Sequence, residues 1–181
     1  MNAPNVITLG RLLLVPITIW LILVHEVAAA FWVFAAAALS DGIDGFIAKR
    51  FDQVSDLGRF LDPLADKVLL VSVFIALGQQ GYLPSWLVIL VVSRDILIVG
   101  AFLFSFTAGF PFSRTPSFLG KTTTTGQLVL AGVVLAGAGL DWQIGGVELV
   151  LTYGVAAATI MSGGIYLVQW ARTTGRAEDL R

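Results

Sequence analysis

Four aspartates stand at the ends of long apolar runs, in the spacing Asp41-x2-Asp44-Gly45-x2-Ala48-Lys49-x8-Gly58-x3-Asp62-x3-Asp66. An ionisable group in apolar surroundings costs about 2.5 kcal/mol or more and usually marks a functional site. Carboxylates this close also repel one another unless cations lie between them. Asp41, Asp44, Gly45 and Ala48 are spaced i, i+3, i+4, i+7 and share one helix face. Gly58, Asp62 and Asp66 are spaced i, i+4, i+8 and share one face of the next helix. A short link joins the two helices, so they are expected to run antiparallel and adjacent, with paired carboxylates facing each other. All-oxygen ligation suits Mg²⁺, Mn²⁺ or Ca²⁺. Two such ions could bridge a diphosphate and stabilise the charge released as its bond breaks.

Buried salt bridges are the competing account, because Arg59, Lys67 and Arg94 lie nearby in the sequence. The regular helical spacing favours metal, since the acids outnumber the cations on their own faces. Gly45, Ala48 and Gly58 would let a flat ligand approach; small residues also serve plain helix packing in membranes. Lys49 and Arg50 stand where a basic residue ordinarily snorkels toward the interface.

These residues need elements to hold them, and the composition says which. Of 181 residues, 57% are hydrophobic and only 13% charged. Mean hydropathy is +0.87. This is an integral membrane composition. Without cysteine, disulfides, thiolate catalysis and Cys-bound zinc are excluded. The single histidine, His25, beside Glu26, reads as a solvated link residue and rules against a histidine triad.

Six spans are expected, over about 7–24, 27–48, 57–79, 84–106, 121–140 and 146–170. All should be helices, because a helix satisfies its own backbone in lipid. Arg11, and the lack of a small-residue cleavage site before the second run, argue against a removed signal peptide. The links at 25–26, 80–83 and 141–145 contain no Lys or Arg, and all eleven basic residues fall toward the other side. The positive-inside rule then puts both termini and the 49–56 and 107–120 links in the cytoplasm. The chain reads as one domain over 1–181, with a frayed polar stub after Trp170. Trp20, Trp86, Trp142 and Trp170 lie near span ends, as interfacial anchors do. Nucleic acid is not an expected partner.

The aspartate pattern resembles the signature of the CDP-alcohol phosphatidyltransferase family, D-x2-D-G-x2-A-R-x8-G-x3-D-x3-D. Every spacing fits, and Lys49 stands for the family's Arg, with Arg50 following. The resemblance implies an enzyme that takes a CDP-linked lipid, here CDP-diacylglycerol, releases CMP and passes the phosphatidyl group to an alcohol. It implies that Asp41, Asp44, Asp62 and Asp66 hold two divalent cations, Mg or Mn, with Asp66 also the general base. It implies a nucleotide pocket of Gly45, Ala48, Lys49 and Gly58. Asn5, Thr8 and Arg11 resemble the family's N-terminal P-N-x2-T-x2-R stretch, near the cytidine diphosphate. A homodimer in a bacterial cytoplasmic membrane, its active site facing the cytoplasm, is also implied.

Two further stretches bear on the acceptor. Ser93-Arg94-Asp95 and the run from Ser117 to Gln127 resemble the branch that makes phosphatidylglycerophosphate or cardiolipin. Arg94 and Lys121 are the candidate acceptor-binding residues; a buried pair with Asp95 or a signature aspartate is the alternative for Arg94. Glycerol 3-phosphate is a small dianion and rewards extra cations. Thr123 stands where phosphatidylglycerophosphate synthases typically carry a second Lys. The expectation is therefore phosphatidylglycerol, a CMP-forming cardiolipin synthase, with glycerol 3-phosphate the alternative. An ion-coupled transporter is the reading from another class, since acids within spans also line ion paths.

Overall fold

In the computed structural model the backbone is described for residues 3–51, 56–107, 118–142 and 145–178, and the side chains for residue 10 and for 13–40, 67–100, 119–142 and 145–168. Six helices follow in order: α1 (Ala3–Leu23), α2 (Val27–Phe51), α3 (Asp56–Gln79), α4 (Ser85–Thr107), α5 (Phe118–Gly139) and α6 (Val147–Glu178). No strand occurs among the described residues. The helices coincide closely with the apolar runs. The clearest difference is at the end of the chain, where α6 continues to Glu178 through the stretch expected to fray. Hydropathy marks where apolar character stops, whereas a helix already nucleated continues through good helix formers such as Ala171, Arg172 and Arg176.

Side-chain contacts fix the helix directions. Cβ atoms built on Gly132 and Gly139 of α5 would meet Phe34 and Ala28 of α2, so these helices are antiparallel. Gly126 faces Val155, and Thr123 approaches Ala158, so α5 and α6 are antiparallel too. Trp86 stacks on Tyr153, and Arg94 meets Ser162, so α4 and α6 run parallel. Gly78 faces Val88 and Lys67 meets Asp95, so α3 and α4 are antiparallel. Gln80 Nε2 reaches Leu23 O at 3.5 Å, so α1 and α3 finish at the same end. The starts of α1, α3 and α5 therefore share one end of the bundle with the finishes of α2, α4 and α6.

The expected α2–α3 pairing at the aspartates involves side chains 41–66, which lie outside the described residues. Among the described residues α2 and α3 make no direct contact; α1 packs against both, and α5 also touches both. Their halves away from the 52–55 link are held apart by these two helices. The core contains Ile22 of α1, Phe74 and Leu77 of α3, Leu87 of α4 and Leu130 of α5, all fully buried.

The end opposite the link is closely packed. A Cβ on Gly139 would lie 2.6 Å from Ala28 N, and one on Gly78 would lie 2.6 Å from Val88 Cγ2. Only glycine allows such approach between helices. The α1–α2 turn closes on His25, exposed and at φ 64°, with Glu26 N donating to Leu21 O and His25 N to Ile22 O. Gly81 closes α3 in the same way at φ 79°, with Tyr82 N donating to Leu77 O. Trp20, Trp86 and Trp142 are exposed at this end; the side chain of Trp170 lies outside the described residues.

The outer surface is apolar: Trp32 is 65% exposed, Leu39 69% and Val150 72%. Among the described residues one stretch, Val147–Val168 of α6, is long and apolar enough to cross a membrane. Leu13–Leu23, Val27–Ser40 and Lys67–Gln79 are shorter apolar stretches.

Candidate functional site

The signature residues lie on helices. Asp41, Asp44, Gly45, Ala48 and Lys49 occupy the last turns of α2, Gly58, Asp62 and Asp66 the first half of α3, and Asn5, Thr8 and Arg11 the first half of α1. By the helix directions these three segments lie toward one end of the bundle. Continuing the α2–α5 pairing along both helices brings the backbone of Asp41 level with Thr125 and Gly126. The side chains of all eleven residues lie outside the described ones. Among the described residues no group of three acidic or histidine side chains could hold a metal ion.

Directly after Asp66, the side chains are described and form an ion network. Lys67 Nζ donates to Asp95 Oδ1 at 2.6 Å, and Arg94 Nη1 donates to the same oxygen at 2.7 Å. Arg94 Nη2 donates to Ser162 Oγ at 2.6 Å. Three helices, α3, α4 and α6, are thereby tied together near their midpoints. Arg94 is 6% exposed and Asp95 3%, so both charges are desolvated. Burying unpaired charge is prohibitive, and removing one partner of such a pair costs about 3–5 kcal/mol. The local geometry makes room for the guanidinium. Cβ atoms on Gly120 and Gly163 would lie 3.8 Å from Arg94 Nη2 and 3.6 Å from Arg94 Cγ.

Arg94 thus takes the Asp95 pairing that was its alternative reading. Its guanidinium nonetheless reaches the first turn of α5, where Gly120 precedes Lys121. The Lys121 side chain is exposed. Two polar atoms of the network remain without a partner although buried, Arg94 Nε and Asp95 Oδ2.

Beside this network, α5 presents two buried polar residues. Thr123 is 1% exposed; its hydroxyl donates to Leu119 O at 2.7 Å, with Ala158 O at 3.3 Å. The position lies in the α5–α6 contact and supplies no charge. Gln127, one turn further, is fully buried, and neither of its amide atoms has a partner. Ser162 gave no sequence signal at all, being one hydroxyl in an apolar run. The role of Lys67 was legible only as a nearby cation.

Comparison with known proteins gives these positions a context. The family model for CDP-alcohol phosphatidyltransferase matches residues 1–162. A rat protein named cardiolipin synthase (CMP-forming) is 36% identical over 149 residues, which covers 74% of this chain and 49% of the relative. A Streptomyces coelicolor protein of the same name is 32% identical over 148 residues, covering 78% of this chain and 68% of the relative. A Bacillus subtilis protein named CDP-diacylglycerol–glycerol-3-phosphate 3-phosphatidyltransferase is 33% identical over 150 residues, covering 74% of this chain and 76% of the relative. The match thus spans about half the length of the rat protein and more of the bacterial ones.

Proposed function

The chain belongs to the CDP-alcohol phosphatidyltransferase family, and from that premise we propose that it transfers the phosphatidyl group of CDP-diacylglycerol to a glycerol-type alcohol and releases CMP. The acceptor is phosphatidylglycerol and the product cardiolipin. The second reading, glycerol 3-phosphate as acceptor, rests on relatives such as the Bacillus subtilis protein.

One observation carries the choice. Lys67 and Arg94 share a single carboxylate oxygen of Asp95, so half of the positive charge of this network, which begins at the residue after Asp66, is already neutralised. A phosphate monoester dianion needs free cations. A glycerol hydroxyl with a distant phosphodiester needs fewer. Thr123 adds none.

Asp41, Asp44, Asp62 and Asp66 form an all-oxygen donor set that fits two divalent cations, Mg or Mn. Those ions, when bound, polarise the diphosphate and offset the charge on the departing CMP. Asp66 accepts the proton of the attacking hydroxyl. Gly45, Ala48 and Gly58 leave space for the nucleotide; Lys49, Asn5, Thr8 and Arg11 contact the cytidine diphosphate. Arg94 and Lys121 face the acceptor. The helix directions support this assembly, since the segments that carry these residues approach one end of the bundle. The exposed apolar surface supports membrane spans, six in this reading, and the placement of all eleven Lys and Arg away from the 25–26, 80–83 and 141–145 links supports both termini being cytoplasmic. A homodimer in a bacterial inner membrane completes the reading.

The test is acceptor profiling of the purified enzyme. CDP-diacylglycerol is offered with phosphatidylglycerol, glycerol 3-phosphate, inositol phosphate or serine, and CMP and lipid products are measured. Cardiolipin is expected. Phosphatidylglycerophosphate without cardiolipin reverses the acceptor, and no CMP with any of them overturns the activity.

A further inference from the structure

Arg94 Nε and Asp95 Oδ2 are a donor and an acceptor belonging to one buried ion pair, and neither has a partner. Buried polar groups are nearly always satisfied, and each one left alone costs roughly 1–3 kcal/mol. The pair is otherwise well made: Arg94 Nη1 and Nη2 and Asp95 Oδ1 all have short bonds. The unfilled functions are therefore specific ones, one N–H and one carboxylate oxygen. Hydroxyl groups supply both complements, because each donates once and accepts. Both glycerol-type acceptors carry such hydroxyls, so the difference lies in charge: the phosphate monoester of glycerol 3-phosphate supplies acceptors only, and the Asp95 carboxylate would repel it.

We infer that Asp95 is a specificity-determining residue, which takes a hydroxyl of the glycerol acceptor on its free oxygen while its other oxygen cancels the cations that would attract a phosphate monoester. This rests on the glycerol-acceptor reading above. The location suits the role. Asp95 is anchored to Lys67, which follows Asp66 on α3, so the network sits at the level of α3 where the signature ends. Arg94 brings the network against Gly120 of α5, next to Lys121. The charge arithmetic sets the sign. Two cations and one anion leave the network at +1. Replacing Asp95 by asparagine raises it to +2, which favours a dianionic acceptor and removes the carboxylate from the hydroxyl.

The test compares CMP release with phosphatidylglycerol and with glycerol 3-phosphate in full-length wild type, Asp95→Asn and the double variant Lys67→Gln/Asp95→Asn. Asp95→Asn should shift the ratio of kcat/KM values toward glycerol 3-phosphate by about tenfold or more, with the CDP-diacylglycerol KM nearly unchanged. The double variant restores the network to +1 and relieves the unpaired ammonium, so it guards against simple misfolding. It should lose most of the glycerol 3-phosphate gain, while both acceptors show a raised KM, because the hydroxyl partner is gone for each. An unchanged acceptor ratio in folded Asp95→Asn overturns the inference and leaves a trapped water as the partner of the two atoms, as does a double variant that keeps the full glycerol 3-phosphate gain. No CMP from wild type with either acceptor overturns the activity proposed above and the inference with it.

Discussion

Ser162 Oγ accepts a hydrogen bond from Arg94 Nη2 at 2.6 Å, and this contact ties the last helix to the fourth across the middle of the bundle. A neutral hydroxyl is a mild partner for a guanidinium. It orients the group without cancelling its charge, which is left to Asp95. Ser162→Ala should therefore destabilise the protein by about 1–3 kcal/mol, the cost of stranding a buried donor. It should also raise the acceptor KM more than the CDP-diacylglycerol KM. Thermal unfolding in detergent and steady-state kinetics read the two effects separately.

Lys121 offers a cleaner probe of the acceptor side, because its side chain is exposed and its loss leaves no buried group unpaired. Lys121→Ala should leave the melting temperature within a degree or two, in line with surface substitutions of about ±0.5 kcal/mol. The acceptor KM should rise with the CDP-diacylglycerol KM unchanged. A rise confined to the CDP-lipid would move Lys121 to the nucleotide side.

The proposed roles of the aspartates make separate predictions. Chelator should abolish CMP release and Mg²⁺ or Mn²⁺ restore it. Asp41→Asn or Asp62→Asn should cost several orders of magnitude in turnover through loss of a metal ligand. Asp66→Asn should retain CDP-diacylglycerol affinity better than turnover, because an amide still ligates weakly but takes up no proton. Equal losses of affinity and rate would leave Asp66 a ligand only. Near-normal turnover in folded Asp41→Asn would remove the metal assignment.

Orientation in the membrane is read by impermeant thiol labelling, helped by the lack of native cysteine. Gly81 is a poor site for the probe, since its φ of 79° strains any side chain. Glu26 and Gln79 are exposed at the same end of the bundle. Glu26→Cys and Gln79→Cys should label from outside intact cells, and Ser55→Cys should not. The reverse pattern would put the aspartate end outside.

Packing at the end opposite the link is tested by two glycines. Gly139→Ala places a methyl 2.6 Å from Ala28 N, in backbone that has nowhere to move. It should destabilise by roughly 1–3 kcal/mol, as overpacking does. Gly132→Ala meets only Phe34 Cε1 at 3.8 Å and should be tolerated.

The six helices were legible because apolar length is a direct physical requirement of a bilayer. Lateral order was not, since a short link such as 52–55 fixes the direction of two helices and says nothing about what lies between their far halves. α1 and α5 lie there. The signature aspartates announced themselves by charge in an apolar run at helical spacing. Arg94 and Asp95 did so partly, because two adjacent opposite charges on one helix suggest a pair. That Lys67 shares the Asp95 oxygen depends on the antiparallel register of α3 and α4, fixed by contacts such as Gly78 against Val88. Ser162 depends on the parallel packing of α4 and α6, helices separated by the whole of α5.

The Lys67–Asp95 bond also bears on how the protein is made. α3 and α4 are consecutive, and the turn between them is short. As the ribosome delivers them, the helical hairpin carries its own counter-ions: Asp95 answers Lys67 across the pair and Arg94 along its own helix. Lys67, which would otherwise enter lipid with no counter-ion from α4, can enter with its charge paired. Ser162 arrives last, on the final helix, and clasps a guanidinium already held.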